Sequence, residues 1–220
     1  MVNTTRILIL SVVIGAVLLS IPIIFEAQIA KSAADSDDVV ITLVISDEIT
    51  ISDCTDFTMT GSPIGGVTGG TATGSCTWTV TTNAGAGFIL ALKASTDPAM
   101  EGVSYTIDDY TETLSGTPDY TWSVAASAAE FGYTVEPATT ADAVAKFLDD
   151  GSDCGVGSGQ VVDKCWIDFA TADYTVINRG SKTGSSGEAE VIKFKAEVGN
   201  TSMQENDTYT ATITATATTQ

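Results

Sequence analysis

In the segment Trp78–Ser95, WTVTTNAGAGFILALKAS, two apolar runs flank a glycine-bearing loop. A dinucleotide-binding turn would need three glycines in the pattern G-x-G-x-x-G at the start of a helix, where amides and the helix dipole meet a pyrophosphate. Gly85 and Gly87 supply two, and Leu90 stands at the third position. A phosphate-binding P-loop would need Lys followed by Ser or Thr after its second glycine, and none follows. Downstream of the loop, Phe88, Leu90 and Leu92 alternate with Ile89, Ala91 and Lys93. Upstream, Trp78 and Val80 alternate with Thr77, Thr79 and Thr81. A period of two is the spacing of a half-buried strand. The segment is therefore predicted to be two strands joined as a hairpin through Asn83–Gly87, with Asn and Gly supplying the turn.

The same pattern recurs along the chain. Ile192, Phe194, Ala196 and Val198 alternate with Lys193, Lys195 and Glu197, and Tyr209, Ala211, Ile213, Ala215 and Ala217 alternate with threonines. Val39–Ile45, Val103–Ile107, Tyr120–Ala125 and Phe131–Val135 are further strand candidates, and Gly61–Gly74 reads as loop. One segment departs from the pattern. In Ala138–Asp150, Val144, Phe147 and Leu148 fall at helical spacing and Gly151 follows, which predicts one short amphipathic helix packed on the sheet. The expected fold is all-β: an antiparallel β-sandwich of immunoglobulin-like or jelly-roll type, with alternate side chains from Val39 onward in its core. Residues 128–172 are expected to form a helix- and disulfide-containing insertion. Trp78 and Trp122, in alternating segments, are expected in the core.

Residues 1–34 read as targeting sequence outside this fold. Arg6 precedes the apolar run Ile7–Phe25, and Ser32-Ala33-Ala34 offers small residues before Asp35. The pattern fits a cleaved signal peptide. As a helix the run would also span about 28 Å, enough for an uncleaved membrane anchor. Either way residues 35–220 form an extracytoplasmic domain, with membrane contact only through the N-terminal helix. Asn200-Thr201-Ser202 and Asn206-Asp207-Thr208 match the N-glycosylation acceptor pattern.

The four cysteines support export. Four allow three pairings, of which Cys54–Cys76 and Cys154–Cys165 close the shortest loops. Neither spacing is C-x-x-C, which disfavours zinc and thioredoxin-type chemistry. In an exported chain disulfides are the expectation.

Composition narrows the function. The chain has 220 residues, 9 basic against 28 acidic, a net charge of −19, and no histidine. Such a surface repels nucleic acid and anionic lipid. The missing histidine removes Ser-His-Asp and Cys-His nucleophile systems and His-ligated zinc. The chain is read as non-catalytic and without an obligate cofactor. Carboxylate pairs are guaranteed by chance among 28 acids and do not by themselves indicate a glycosidase. Asp149, Asp150 and Asp153 cluster after the predicted helix and are the candidate Ca²⁺ ligands, although Gly151 and Cys154 occupy positions where an EF-hand loop has ligands or its glycine. Tyr110, in an acidic turn with Asp108, Asp109 and Glu112, is the aromatic expected to be exposed. With the Gly61–Gly74 loop it forms a candidate binding surface for glycan or protein.

Three stretches carry a resemblance: Thr77–Ser95 with its Val80-Thr81-Thr82-Asn83 and Gly87-Phe88, Asp163-Lys164-Cys165-Trp166, and the closing Asp207–Thr219, DTYTATITATATT. Together they resemble a group of bacterial secreted surface proteins with a β-sandwich fold. In that group a glycine often stands where this chain has Asn206-Asp207-Thr208. The closing strand is also similar to the terminal strand of fimbrial subunits and wall-associated surface domains. The resemblance implies an envelope protein. Export, disulfides, the absence of histidine and the Thr/Gly-rich strands point to a non-catalytic structural or adhesive surface protein, either a monomeric display domain or a subunit of a surface layer or fibre, with an extracellular binding module for glycan or protein as the alternative. Its partner would be a second copy met through edge strands, or a cell-surface glycan or protein.

Overall fold

A computed structural model describes residues 37–220; the N-terminal helix expected in residues 1–34 lies outside them. The chain divides into two units, Met1–Val44 and Ile45–Gln220. Within the second, ten strands occur: β1 (Ile49–Ile51), β2 (Gly70–Thr82), β3 (Phe88–Ala94), β4 (Met100–Glu101), β5 (Thr106–Asp109), β6 (Ala129–Pro137), β7 (Tyr174–Arg179), β8 (Glu188–Val198), β9 (Thr210–Ala211) and β10 (Ile213–Thr219). They form a seven-stranded sheet in the order β1-β2-β8-β6-β5-β4-β9 and a three-stranded sheet in the order β10-β3-β7. The fold is all-β, as the alternating patterns predict. Every pairing is antiparallel except β5–β6, which is parallel.

One hydrophobic cluster draws on both sheets. Trp78 and Val80 of β2, Phe131, Tyr133 and Val135 of β6, and Ile192 and Phe194 of β8 meet Phe88, Leu90 and Leu92 of β3 and Val176 and Ile177 of β7 in it. Register explains the alternation. Phe194 is opposite Gly74 on one side and Tyr133 on the other, so the even-numbered residues of β8 share one face of the sheet with Tyr133. Phe169 stacks on Phe131 and packs against Tyr133 with ring centroids 5.2 and 4.4 Å apart.

Several expectations are corrected. Trp78–Ala94 holds two strands but not a hairpin: β2 belongs to the large sheet and β3 to the small one. The loop Asn83–Gly87 connects the two sheets, and Val80 and Phe88 on either side of it are both buried in the one core cluster. Gly87 sits at φ +87°, and a Cβ there would lie 1.8 Å from the Arg179 carbonyl oxygen, so only glycine lets the loop pass β7. The helix expected over Ala138–Asp150 is two 3₁₀ turns, Thr140–Asp142 and Ala145–Phe147. Between them Val144 is extended and donates its N–H to the Val176 carbonyl. Pairing with β7 breaks the helical ladder, and Phe147 still reaches the core. Tyr120–Ala125 is not a strand; the isolated bridge of Asp119 to Trp166 lies just before it. Of the expected insertion 128–172, β6 lies in the middle of the large sheet.

Val39–Ile45 forms no strand, and its side chains are not in the core. Val39, Val40, Ile41, Leu43, Val44 and Ile45 are each 76–88% exposed. Among the described residues the segment has no strand partner. Ser46–Glu48, which follow it, are clipped to the Asn83–Gly87 loop: the Asn83 side chain accepts the Glu48 N–H and donates to the Ser46 carbonyl.

Candidate functional site

Both disulfides of the nearest-neighbour scheme are present, Cys54–Cys76 and Cys154–Cys165. The first ties the segment after β1 to the middle of β2. The second closes the loop after the 3₁₀ turns. Two disulfides belong with an oxidising, extracytoplasmic environment.

The side of the large sheet opposite the core carries the most developed surface feature. Lys193, Lys195 and Glu197 of β8 project there, between the inward Ile192, Phe194 and Ala196. Their neighbours in register are Thr73 and Ser75 of β2 and Gly132 and Thr134 of β6. Residues 110–128, the connection between β5 and β6, fold back over this face. Tyr110 stacks on Trp122 with centroids 4.3 Å apart, and Trp122 meets Trp166 edge-on at 5.3 Å. Gly132 makes this possible: a Cβ there would lie 2.8 Å from the Tyr110 Cβ and 3.2 Å from the Trp122 ring.

Tyr110, expected to be exposed, is therefore buried. Its hydroxyl donates to the Asp119 carboxylate at 3.1 Å and accepts the Ser123 N–H. Burial, reinforced by the Asp119 charge, pushes its ionisation upward. Trp122, expected in the core, is half-buried on the opposite side of the sheet, and its indole N–H donates to Glu197 at 2.8 Å. Sequence reading placed Trp122 in a strand and Tyr110 in an exposed turn; the stack depends on a glycine in a different strand, which periodicity does not reveal.

Beside the stack lies an open groove of about 750 Å³ lined by Phe57, Thr73, Ser75, Trp122, Lys164 and Lys195 among others. Lys195 holds its ammonium over the Trp122 and Trp166 rings, at 5.1 and 5.7 Å from their centroids, and Lys164 sits over Tyr120 at 4.7 Å. Neither forms an ion pair among the described residues, whereas Lys193 pairs with Glu136 at 2.8 Å and Asp163 at 2.9 Å. Burial lowers the Lys195 pKa, with Glu197 and Asp163 opposing. Three of the seven Lys and Arg residues in the described chain thus converge on one groove of a strongly acidic protein. Unpaired ammonium groups on aromatic faces can take a carboxylate or sulfate.

The aspartates proposed for calcium serve their own loop. Asp149 is buried and accepts the Gly151 and Val161 N–H groups at 2.9 and 2.7 Å. Asp150 accepts the Ser152 and Asp153 N–H groups and the Ser152 hydroxyl, and these bonds hold its pKa low. Among the described residues, no group of three or more Cys, Asp or Glu side chains is arranged to hold a metal.

A second acidic group was not singled out from sequence as a cluster in space. Asp109 and Asp168 have pKa values raised to about 6 and about 7, in both cases mainly by burial; Glu112 adds to Asp168 by hydrogen bonding and charge. The Asp168 N–H also donates to Glu112 at 2.8 Å. Such a cluster can hold a shared proton near neutral pH. It does not line the groove. Glu130 nearby is likewise raised by burial and accepts the Thr111 N–H.

No protein-family model, curated protein or solved structure matches the chain. Among the described residues, no helix is long and apolar enough to cross a membrane.

Proposed function

We propose that the protein is a non-catalytic, exported structural or adhesive protein of the cell surface: a β-sandwich domain, delivered by residues 1–34, that associates with copies of itself into a layer or fibre. The observation that carries this reading is the uncovered run Val39–Ile45, seven residues without a charge in a chain of net charge −19. An apolar, β-branched segment of that length exposed to water marks a site of association. The resemblance to secreted surface proteins and the two disulfides point the same way. The test is to export the full chain from a host, isolate it with its disulfides formed, and measure sedimentation across protein concentration. Concentration-dependent large species are expected; a monomer throughout rejects assembly.

A second reading has its own support. The groove at Lys164, Lys195 and Trp122 suits a binding module for an acidic glycan or protein, in place of the surface expected at Tyr110 and the Gly61–Gly74 loop. Binding of a uronate-containing polysaccharide that Lys195→Met weakens would favour it; equal binding by both proteins would remove it.

A further inference from the structure

We propose that Val39–Ile45 of one copy adds as a strand to the open edge of β10 in the next copy, extending the small sheet from subunit to subunit. This rests on the self-assembly reading above and names the receiving surface.

The orientation of the edge follows from the hydrogen bonds. Ser95 N–H donates to the Thr212 carbonyl at 3.0 Å and Gln220 N–H to the Gly87 carbonyl at 3.1 Å. With Ile213 opposite Ala94 and Thr219 opposite Phe88, the even-numbered residues of this strand exchange bonds with β3. The N–H and C=O groups of Ile213, Ala215, Ala217 and Thr219 therefore point away from β3. None of them has a hydrogen-bond partner among the described residues. Natural edges of this length are usually blunted by Lys, Pro, a bulge or a covering loop. The β10 sequence, ITATATT, has none of these residues, and its pairing with β3 is continuous.

The side chains also fit. Ile213, Ala215 and Ala217 are half-buried and pack against the core, with β1 nearby on the other sheet. Small alanines at the rim leave room for larger neighbours. In Val39–Ile45 the odd-numbered side chains, Val39, Ile41, Leu43 and Ile45, are all aliphatic and share one face of an extended strand. Seven residues meet seven in β10. Neither segment carries a charged side chain, so like-charged copies can approach there. Donor and receiver are different surfaces, so the contact is head-to-tail and leaves one of each free at the ends of every oligomer.

The test uses the full exported chain with disulfides formed. Ile41→Asp disables the donor. Ala215→Pro and, separately, Ala217→Pro remove an outward N–H without touching the ladder to β3. Sedimentation velocity should show polymer for the parent chain and only monomer for each variant. An equimolar mixture of Ile41→Asp and Ala215→Pro should stop at dimer, because it contains one intact donor and one intact edge. If the proline variants polymerise like the parent while Ile41→Asp does not, the β10 assignment is overturned and self-assembly stands. A parent chain that stays monomeric overturns both. Should the proline variants lose their fold, chains carrying single cysteines across positions 39–45 are mixed with an Ala215→Cys chain and oxidised. Interchain disulfides are expected, and exclusively intrachain products or none overturn the proposal.

Discussion

Replacing Glu190 by Gln should remove most of one pH-dependent loss of stability. Glu190 lies in β8 between Trp78 and Pro137 in register. It is fully buried, and neither carboxyl oxygen has a hydrogen-bond partner. Burial raises its pKa from 4.5 to about 8; the charges of Asp142 and Glu188 add to the rise and Arg179 opposes it. Between those values the folded chain keeps a proton that the unfolded chain releases. Stability from this group is thus full below about pH 4.5, falls as pH rises, and levels off above about pH 8. The displacement corresponds to on the order of 5 kcal/mol between the two limits. Glu190→Gln keeps the shape and cannot ionise. Urea unfolding followed by tryptophan fluorescence should find the two proteins within about 1 kcal/mol at pH 4, and the Gln variant several kcal/mol more stable at pH 9. Asp109 and Asp168 are present in both and cancel in the difference. An unchanged difference between the proteins across that range would refute the reasoning.

Other perturbations follow from the packing. Gly132→Val should lower unfolding free energy by about 3 kcal/mol or more by driving a side chain into Tyr110 and Trp122, measured in denaturant and by the change in Trp122 fluorescence. Removing Cys54–Cys76 as a pair of alanines should lower stability by about 3 kcal/mol, the loop-closure value for a separation of 22 residues, read in the same assay. Arg179 is mostly buried and pairs with Asp142 and with Glu188 at 3.2 Å, so Arg179→Met should lower stability by about 3–5 kcal/mol at pH 7 by stranding two acids. Assembly through uncharged segments of a chain with net charge −19 should strengthen from low to moderate salt as repulsion is screened, a trend light scattering will show.

What the sequence made legible was local. Alternation located the cores of β2, β3 and β8, because each has one face buried and the period of two is imposed by the backbone itself; in β10 the alternation is between half-buried and exposed residues, and β6 is buried on both faces. The partner of each strand is a different matter. Asn83–Gly87 reads equally well as a hairpin turn or an arch, since both need glycine and both leave Val80 and Phe88 apolar. Only the competition for edges decides, and β8 outbids β3 for β2 by matching it from Gly70 to Val80. The helical spacing of Val144, Phe147 and Leu148 misled for a related reason: extended pairing of Val144 with β7 satisfies a backbone group that a helix would have satisfied internally. The groove was invisible because Lys164, Lys195 and Trp122 come from three distant segments. Tyr110 was misplaced because Gly132, which makes space for it, lies in another strand.

Charge distribution links these features. A coat of excess acid keeps copies apart at long range, yet it is absent from Val39–Ser46 and from Thr208–Gln220. Repulsion elsewhere then acts as selection rather than obstacle. In the proposed assembly, encounters that bring carboxylates together are disfavoured, and the uncharged segment meeting the uncharged edge avoids that penalty. In that assembly the acidity of the rest of the chain favours the contact whose backbone groups lack a partner among the described residues.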